Sequence, residues 1–295
     1  MKPLVRALRP QQWPKNGVVF AAFVFSAGDA WALDDPGDWG EKLLKIAAMA
    51  ALWCVASSAT YLVNDAFDRD ADRLHPKKRH RPIASGALSI RAAIVAAIVL
   101  AVAATGLGLA LDITGGLVLG GYMAVMVVYS ALLKHVAILD VLVLTAGVIG
   151  RAVAGATTID VEISPWLYVC ASAGALFFAV SKRWSEFLTL GDGAAEHRSV
   201  LGSYSADFLH QMLTVTAATA LLAYAVYTIE SPNVPENGAM ALTIPFVAFA
   251  MFRYLLLLGG PRKGDAPDNI LFTDIAIVAS VAGFVITAAV VLLAS

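Results

Sequence analysis

Long apolar runs separated by short polar stretches dominate the sequence. Because a transmembrane helix needs about 20 mostly apolar residues, these runs predict nine membrane spans and an all-α integral membrane protein. The spans are residues 16–33, 43–63, 90–111, 114–133, 137–157, 164–181, 207–230, 238–258 and 271–294. Only the region of Lys134 and His135 separates the fourth span from the fifth, which indicates either a tight hairpin or one span too many.

The composition agrees with a membrane protein. Hydrophobic residues make up 59% of the 295 positions and charged residues only 15%, whereas soluble domains carry about 25% charged residues. This apolar surplus is too large for one soluble core, so lipid must cover part of it. Cys54 and Cys170 lie inside apolar runs without a CxxC spacing, which is typical of small buried hydrophobic side chains.

Basic residues fall mainly on one side of the predicted membrane. If the N-terminus is cytoplasmic, the cytoplasmic segments contain 17 of the 21 Lys and Arg residues. The exceptions are Lys42 and Lys45 on the opposite side, whose loops are acidic, and Arg151 and Arg253 within spans. This positive-inside pattern supports an odd number of spans. It predicts a multi-pass protein of the plasma (inner) membrane, with its polar site cytoplasmic and its C-terminus outside.

An acidic motif, residues 64–72, follows the second span at its cytoplasmic end. On one continuous helix Asn64, Asp68 and Asp72 would form a row with Asp65 beside them. Such carboxylates repel one another unless a cation lies over them, and Mg²⁺ is a hard ion that combines a few carboxylates with phosphate oxygens. The motif therefore predicts a magnesium site for a diphosphate, and a solvated acidic helix end is the alternative.

A basic loop, residues 75–86, follows directly and contains Lys78, Arg79 and Arg81. Arg makes planar bidentate contacts with phosphate, and Lys binds phosphate as a point charge. An anchor for anionic lipid explains part of this charge, but it does not require the sequence Arg-Pro-Ile-Ala-Ser-Gly, which is typical of a shaped loop. Metal-binding acids beside phosphate-binding bases predict a diphosphate site.

Two further polar groups lie at predicted cytoplasmic ends of spans. The first consists of Tyr129, Lys134, Asp140 and Arg151. Because Arg151 lies inside a span, it must pair with another polar group or line a polar cavity. The alternative to a functional role for this group is a purely structural ion pair. The second group follows the sixth span and includes Lys182, Arg183, Glu186, Asp192, Glu196, His197, Arg198 and Tyr204.

The N-terminal segment, residues 8–16, combines phosphate-binding side chains with an aromatic side chain. It contains Arg9, Lys15 and Asn16 around Trp13. An interfacial Trp flanked by charge is also typical of a membrane anchor. A substrate contact and an anchor are both compatible with this segment.

The acidic motif, Asn-Asp-x-x-Asp-x-x-x-Asp at the end of the second of nine spans, resembles the UbiA superfamily of intramembrane prenyltransferases. The resemblance covers essentially the whole chain. Residues 9–16, 72–76, 78–86 and 129–134 are similar to the branch of the superfamily that transfers phosphoribose to a lipid phosphate. The resemblance implies a nine-transmembrane-helix UbiA-type bundle with cytoplasmic cap loops, formed by a single transmembrane catalytic domain over residues 1–295.

The resemblance also implies a reaction and its partners. We expect 5-phosphoribose to pass from phosphoribosyl diphosphate to decaprenyl phosphate, with Mg²⁺ and release of diphosphate, for cell-wall arabinan synthesis. A lipid phosphate is already anionic at neutral pH, so the reaction needs no strong general base. It needs a neutralised leaving group and the exclusion of water. Membrane lipid is an expected partner and nucleic acid is not, and the glycines of the spans leave a homo-oligomer open.

One departure concerns the second acidic motif of the superfamily, which is usually Asp-x-x-x-Asp. Here its region reads Lys182-Arg183-Trp184-Ser185-Glu186. One carboxylate beside two cations suits a donor with an additional phosphate, and it leaves a second metal ion open.

The expected site combines these groups. Its metal ligands are Asn64, Asp65, Asp68 and Asp72. The predicted catalytic residues are Asp65, Asp68, Asp72, Lys134, Asp140 and Glu186. The predicted substrate-binding residues are Lys15, Asn16, Asn64, Lys78, Arg79, Arg81, Tyr129, Lys182, Arg183 and Arg198.

Two other functions stay open. A prenyltransferase acting on an aromatic acceptor would use the same acidic motif, and an assay with an allylic diphosphate would separate it. A lipid transporter predicts discontinuous helices and polar residues at the bilayer midplane. Most polar residues here instead collect on one membrane face, with Arg151 and Arg253 as the main exceptions.

Overall fold

The protein is all-helical in a computed structural model that describes residues 2–27, 30–31, 34–75, 78–162, 165–190, 199–231, 234–259, 270–271 and 273–293. Every regular element among them is a helix, which confirms the predicted class. The α-helices are α1 (Lys2–Ala7), α2 (Ala21–Phe25), α3 (Pro36–Phe67), α4 (Arg69–Leu74), α5 (Ile90–Leu111), α6 (Ile113–Ala131), α7 (Leu139–Thr158), α8 (Pro165–Leu190), α9 (Ala206–Glu230), α10 (Ile244–Gly259) and α11 (Ile275–Leu293). The 3-10 helices are Pro10–Phe20, Lys78–His80, Leu133–His135, Ser199–Ser203 and Ala239–Thr243.

Small polar side chains begin several of the long helices. Ser89 Oγ accepts a hydrogen bond from the amide of Ala92 at the start of α5, and Ser205 Oγ accepts one from Phe208 at the start of α9. The carboxylate of Asp35 caps α3 in the same way. Such caps satisfy amides that have no partner within the helix, and each contributes about 1 kcal/mol.

Seven helices in the described part of the chain are long and apolar enough to cross a membrane. They are Pro36–Phe67, Ile90–Leu111, Ile113–Ala131, Leu139–Thr158, Ala206–Glu230, Ala239–Gly259 and Ile275–Leu293. Helix α8 is 26 residues long but is not among the seven. The count of nine spans therefore stays a prediction.

The predicted first span, residues 16–33, differs most from the structure. The chain there forms the 3-10 helix Pro10–Phe20 followed by the short α2, and residues 28–29 and 32–33 lie outside the described ranges. Pro14 lies inside the 3-10 helix and has no amide hydrogen to donate, which disfavours a regular α-helix over residues 10–14, just before the predicted span.

The chain forms two compact units. Unit 1 consists of Met1–Val24, Trp31–Val143 and Gly150–Glu162. Unit 2 consists of Phe25–Ala30, Leu144–Ile149 and Ile163–Ser295.

In unit 1, helix α3 packs against α5, α6 and the N-terminal 3-10 helix. Its apolar side chains Ile46, Trp53 and Leu62 are fully buried. The hairpin between α5 and α6 is close, because a Cβ atom at Gly116 would lie 2.4 Å from the backbone nitrogen of Leu109. Only glycine allows this approach, so the sequence of the hairpin sets how near the two helices lie.

In unit 2, helix α8 packs along α9, and α10 packs against α11. Phe177 and Tyr254 are buried in a shared apolar cluster, with their ring centroids 5.7 Å apart. Asp274 caps α11 through the amide of Ile277 and also accepts hydrogen bonds from Arg253 of α10.

Several helices expose continuous apolar surface. On α5 the side chains of Val95, Ile98, Val99 and Val102 are each at least 58% exposed. An apolar surface of this kind is unfavourable in water and favourable against lipid tails. The described helices thus form a multi-span membrane protein.

Candidate active site

The acidic motif lies where α3 ends and α4 begins. Helix α3 ends at Phe67, Asp68 stands between the two helices, and α4 carries Asp72. Asp65 and Asp72 are only 2% and 3% exposed. Because a buried carboxylate is costly unless it is paired, the partners of these two residues define the site.

Two arginines neutralise the buried carboxylates. Arg9 Nη2 donates to Asp65 Oδ1 at 2.5 Å, and Arg81 Nη1 donates to the same oxygen at 3.1 Å. Arg81 Nη1 also donates to Asp72 Oδ2 at 2.7 Å. The guanidinium of Arg81 therefore joins α3, α4 and the basic loop. Arg9 lies over the ring of Tyr61, 4.8 Å from its centroid.

Asp68 belongs to a second group of contacts. Asn64 Nδ2 donates to Asp68 Oδ2 at 2.9 Å, and Lys134 Nζ donates to Asp68 Oδ1. Ser130 Oγ donates to Asn64 Oδ1 at 3.4 Å. The acidic motif is therefore divided into one pair of carboxylates bound by arginines and one Asn–Asp pair bound by a lysine.

This division differs from the single row that the spacing suggested. The reason is the interruption at Asp68, whose φ of -84° and ψ of 0° end α3 before α4 starts. As a result Asp65, which spacing placed beside the row, shares Arg81 with Asp72.

Burial affects the charge of Asp72. It raises the pKa of the Asp72 carboxyl above its ordinary value, and the Arg81 guanidinium offsets only part of that rise. A bound cation would lower the pKa again, because it favours the ionised carboxylate.

The donor set suits a metal ion that shares its ligands with a substrate. Among the described residues, no three or more His, Cys, Asp and Glu side chains are grouped so that they could bind a metal ion. Mg²⁺, however, usually takes one or two carboxylates together with phosphate oxygens and water. The oxygen donors of Asn64, Asp65, Asp68 and Asp72 fit that mode of binding better than a closed protein cage.

Arg9 reaches the motif from an uncommon backbone conformation. Its φ of 53° and ψ of 59° lie in the left-handed region, which costs a non-glycine residue about 1–2 kcal/mol. The Arg9 amide donates to Arg6 O, and Arg9 O accepts from the amide of Gln12. Strained residues of this kind occur often at functional sites.

Helix α3 fixes the residues that flank Arg9. Trp13 Nε1 donates to Ser58 Oγ at 3.1 Å, and the Ser58 hydroxyl donates to Leu8 O at 2.9 Å. The N-terminal segment therefore runs along α3 in a defined register, which determines where the Arg9 side chain begins.

Arg151, inside the membrane-crossing α7, contacts the same segment. Its Nε donates to Asn16 Oδ1 at 2.7 Å, and its Nη2 donates to Ser57 Oγ at 3.1 Å and to Tyr122 OH at 3.3 Å. The guanidinium also lies over the rings of Trp53 and Tyr122. The expectation that an arginine within a span meets polar groups is met by this cluster.

Asn16 is buried by these contacts. It is 2% exposed, its Oδ1 also accepts from Ser57, and its Nδ2 donates to Cys54 Sγ at 3.3 Å. One turn along α7 from Arg151, a Cβ atom at Gly155 would lie 2.0 Å from Val19 O. Glycine at that position is what allows the N-terminal segment to lie against α7.

The basic loop presents its cations in different directions. Arg81 points to the carboxylates, whereas Arg79 is exposed and donates to His80. Lys78 is partly buried. Arg73 Nε donates to Ala84 O at 3.0 Å, which ties α4 to the end of the loop.

The remaining predicted residues that the structure describes lie on four other elements. Tyr129 on α6 and Asp140 on α7 are buried, in unit 1. On α8, in unit 2, Arg183 Nη1 donates to Glu186 Oε2 at 2.8 Å, and Lys182 Nζ lies 5.0 Å from the ring centroid of Phe178. Lys15 is a neighbour of Asn16 in the N-terminal segment. Arg198, Asp192 and Glu196 lie outside the described residues.

Sequence reasoning counted Arg9 among the phosphate-binding side chains of the N-terminal segment but did not include it in the expected site. The sequence marks it as a basic residue before Pro10, but no spacing rule connects position 9 with position 65. The contact becomes visible only once the N-terminal segment is placed on α3.

Fold and site together define an α-helical membrane protein with paired carboxylates and cations at the end of a membrane-crossing helix. The model of the UbiA prenyltransferase family matches residues 19–273, which is most of the chain. The protein therefore belongs to the UbiA prenyltransferase family, and the resemblance drawn from the acidic motif is confirmed.

Relatives in two bacteria match nearly the whole chain. The chain is 32% identical over 282 residues to the decaprenyl-phosphate phosphoribosyltransferase of Mycolicibacterium smegmatis, covering 92% of this chain and 86% of that protein. It is 33% identical over 279 residues to the protein of the same name from Corynebacterium glutamicum, covering 92% and 81%.

A solved structure shares the fold. A UbiA homolog from Archaeoglobus fulgidus, bound to GPP and Mg²⁺, superposes with a TM-score of 0.72 over 99% of this chain and 100% of that chain. The two sequences are 18% identical, so this likeness concerns the fold alone.

Proposed function

We propose that the protein transfers 5-phosphoribose from phosphoribosyl diphosphate to decaprenyl phosphate and releases diphosphate. The observation that carries the proposal is the group formed by Asp65, Asp68 and Asp72 with Arg9, Arg81 and Lys134. Such a site suits an anionic donor that loses diphosphate. The identity to decaprenyl-phosphate phosphoribosyltransferases over 92% of the chain supports the choice of donor and acceptor.

In the proposed reaction the anomeric C–O bond of the donor breaks, and its electron pair leaves with diphosphate. An oxygen of the lipid phosphate then forms the new bond to the same carbon. Because that oxygen is already anionic, no side chain has to remove a proton. The protein instead must neutralise the leaving group and exclude water from the electron-poor sugar carbon.

We propose that Asn64, Asp65, Asp68 and Asp72 bind Mg²⁺ together with the diphosphate. When bound, the metal supplies charge neutralisation at the leaving group. Lys134 lies beside Asp68 and Arg81 lies beside Asp65 and Asp72. Both cations can therefore contact a diphosphate that shares a metal with these carboxylates.

The rest of the proposed site follows from the sequence. Lys15, Asn16, Lys78 and Arg79 are proposed to contribute to donor binding, together with Arg198, which follows α8 in the sequence. Tyr129, Lys182 and Arg183 are proposed to bind substrate, and Asp140 and Glu186 are proposed to take part in catalysis. The ion pair between Arg183 and Glu186 supports a role in binding an additional phosphate, because it leaves the local charge positive beside Lys182.

The proposed topology has nine spans, with the N-terminus and the active site in the cytoplasm and the C-terminus outside. In this arrangement residues 1–295 form one catalytic domain in the plasma membrane. Charged groups of the acidic motif then face a soluble donor, and apolar faces such as that of α5 face the lipid that carries the acceptor. The product would serve cell-wall arabinan synthesis.

A second candidate is prenyl transfer to an aromatic acceptor, which the family match and the fold shared with a GPP-bound homolog favour. Both candidates predict diphosphate release, so the donor has to be varied. Purified protein with Mg²⁺ is given either phosphoribosyl diphosphate and decaprenyl phosphate, or an allylic diphosphate and an aromatic acid. We expect diphosphate release only with the first pair. Release only with the second pair would replace the proposal by prenyl transfer.

A further inference from the structure

We propose that Arg9 is a diphosphate-binding residue that exchanges partners: in the empty site its guanidinium neutralises Asp65, and when metal and diphosphate bind it contacts the diphosphate instead. This inference rests on the proposed function. It adds to the site a residue from the N-terminal segment, which sequence spacing did not connect with the acidic motif.

The two arginines are more accessible than the carboxylate with which they are both paired. The side chains of Arg9 and Arg81 are 21% and 25% exposed, whereas that of Asp65 is 2% exposed. An incoming ligand therefore meets the two guanidinium groups before it meets the carboxylate. Planar guanidinium groups at the entrance suit a phosphate group, which they bind through two parallel hydrogen bonds.

The charges of the paired side chains stay balanced when metal and diphosphate bind. Asp65, Asp68 and Asp72 are paired with Arg9, Arg81 and Lys134, so each of these three carboxylates has a cation beside it. A metal ion that binds the carboxylates displaces these cations, and a diphosphate supplies new anionic partners for them. Each charged group then keeps an opposite charge at every stage, which avoids the large cost of an unpaired buried charge.

Arg9 can change partners without moving its backbone. The backbone amide and carbonyl of Arg9 are both hydrogen-bonded, and Ser58 binds the carbonyl of the preceding residue, Leu8. The ring of Tyr61 lies under the guanidinium and can support it in both states. Only the side-chain hydrogen bonds have to be exchanged.

The competing explanation is a structural brace, in which Arg9 merely joins the N-terminal segment to α3. A brace and an exchanging residue differ in what they predict for two ligands. If Arg9 competes with the metal for Asp65 and also binds diphosphate, its removal strengthens metal binding and weakens diphosphate binding. Loss of a brace would shift both affinities in one direction or in neither.

The experiment measures two affinities of the full-length protein by calorimetry. The first is for Mg²⁺ alone, and the second is for inorganic diphosphate at a fixed Mg²⁺ concentration. Arg9→Gln should bind Mg²⁺ about threefold more tightly or better, because a competing cation beside Asp65 is gone. It should bind diphosphate about tenfold more weakly, because a charge-assisted contact is lost.

Two further variants control the measurement. Arg9→Lys keeps the charge but not the bidentate geometry, so its diphosphate affinity should lie between those of wild type and Arg9→Gln. It also covers the case in which Arg9→Gln folds poorly. Arg6 is exposed on α1, one turn from Arg9. Arg6→Gln should leave both affinities unchanged.

Shifts of both affinities in the same direction for Arg9→Gln, or an unchanged diphosphate affinity, would overturn the inference. The outcome is separate from that of the proposed function, because neither ligand contains ribose or lipid. If wild type makes no phosphoribosyl lipid while Arg9→Gln shows the opposite shifts, the inference stands and the proposed function fails. If the lipid product forms without the opposite shifts, the reverse holds.

Discussion

Asp65 and Asp72 belong to different helices, yet they share one guanidinium nitrogen: Arg81 Nη1 lies 3.1 Å from Asp65 Oδ1 and 2.7 Å from Asp72 Oδ2. The interruption at Asp68 turns the chain so that the two carboxylates meet. Two buried acids that share one guanidinium, with Arg9 also paired to Asp65, indicate a place where positive charge is required. In the proposed reaction that charge is supplied by Mg²⁺ and by the cations that bind diphosphate.

Within the acidic motif, the exposed Asp70 serves as a control for the buried Asp65. Asp65 is buried and paired, whereas the side chain of Asp70 is 88% exposed. We expect Asp65→Asn to lower kcat/KM by about 100-fold or more, because a metal-binding charge at the leaving group is lost. Asp70→Asn should leave kcat/KM unchanged. Equal losses in the two variants would mean that the total charge of the motif matters and the position of each carboxylate does not.

Lys134 should act on the donor. Its Nζ donates to Asp68 next to Asn64, so Lys134→Gln removes a cation from the place proposed for diphosphate. We expect the KM for phosphoribosyl diphosphate to rise about tenfold, as for the loss of one charge-assisted contact.

The control for Lys134 is Lys45→Gln, because Lys45 pairs with Glu41 in the first turns of α3. Its steady-state kinetics should match those of wild type. A rise in the KM for decaprenyl phosphate, with the donor KM unchanged, would place Lys134 at the acceptor.

Arg151 should stabilise the N-terminal segment. Its buried guanidinium donates hydrogen bonds to Asn16, Ser57 and Tyr122. The ammonium group of lysine cannot reproduce this planar arrangement of donors. Arg151→Lys should lower the free energy of unfolding by about 2–3 kcal/mol and speed hydrogen exchange in residues 10–20. The control is Arg253→Lys, because the Arg253 side chain is 37% exposed and solvent screens its ion pair with Asp274. Unchanged exchange in residues 10–20 would contradict this role.

Gly155 should be intolerant of a larger residue. The Cβ atom of Gly155→Ala would meet Val19 O at 2.0 Å, so the N-terminal segment must move away from α7. We expect destabilisation by about 1–3 kcal/mol. Gly121 on α6 has open space around it, and Gly121→Ala should stabilise the helix by about 0.5–1 kcal/mol. Thermal unfolding of the two variants in the same detergent makes the comparison, and equal midpoints would contradict the close approach.

The helical class and the motif could be predicted because both depend on local sequence. Apolar length alone located most of the helices, and the acidic motif and basic loop were found from charge and spacing. The start of α3 was placed seven residues too late, because Pro36 and the cap at Asp35 extend it beyond its apolar part. The first span was predicted as one helix, whereas the chain there continues a 3-10 helix as far as Phe20 and then forms the short α2.

The pairings within the site could not be predicted in this way. Arg9 meets Asp65 across 56 positions of sequence, and Arg151 meets Asn16 across 135. Both contacts depend on how the N-terminal segment lies on α3 and α7, which Ser58 and Gly155 determine. Arg151 was expected to have polar partners because a charge within a span needs them, but those partners lie on three other elements.

Phosphoribosyl transfer is tested most directly by following labelled ribose from the donor into the lipid product. Purified wild-type protein is incubated with phosphoribosyl diphosphate labelled in the ribose, decaprenyl phosphate and Mg²⁺, and the organic extract is analysed by mass spectrometry. We expect one labelled phosphoribosyl decaprenyl phosphate for each diphosphate released, and loss of both in Asp65→Asn. A wild-type extract without the labelled lipid, under conditions in which the Mycolicibacterium smegmatis relative forms it, would contradict phosphoribosyl transfer to decaprenyl phosphate.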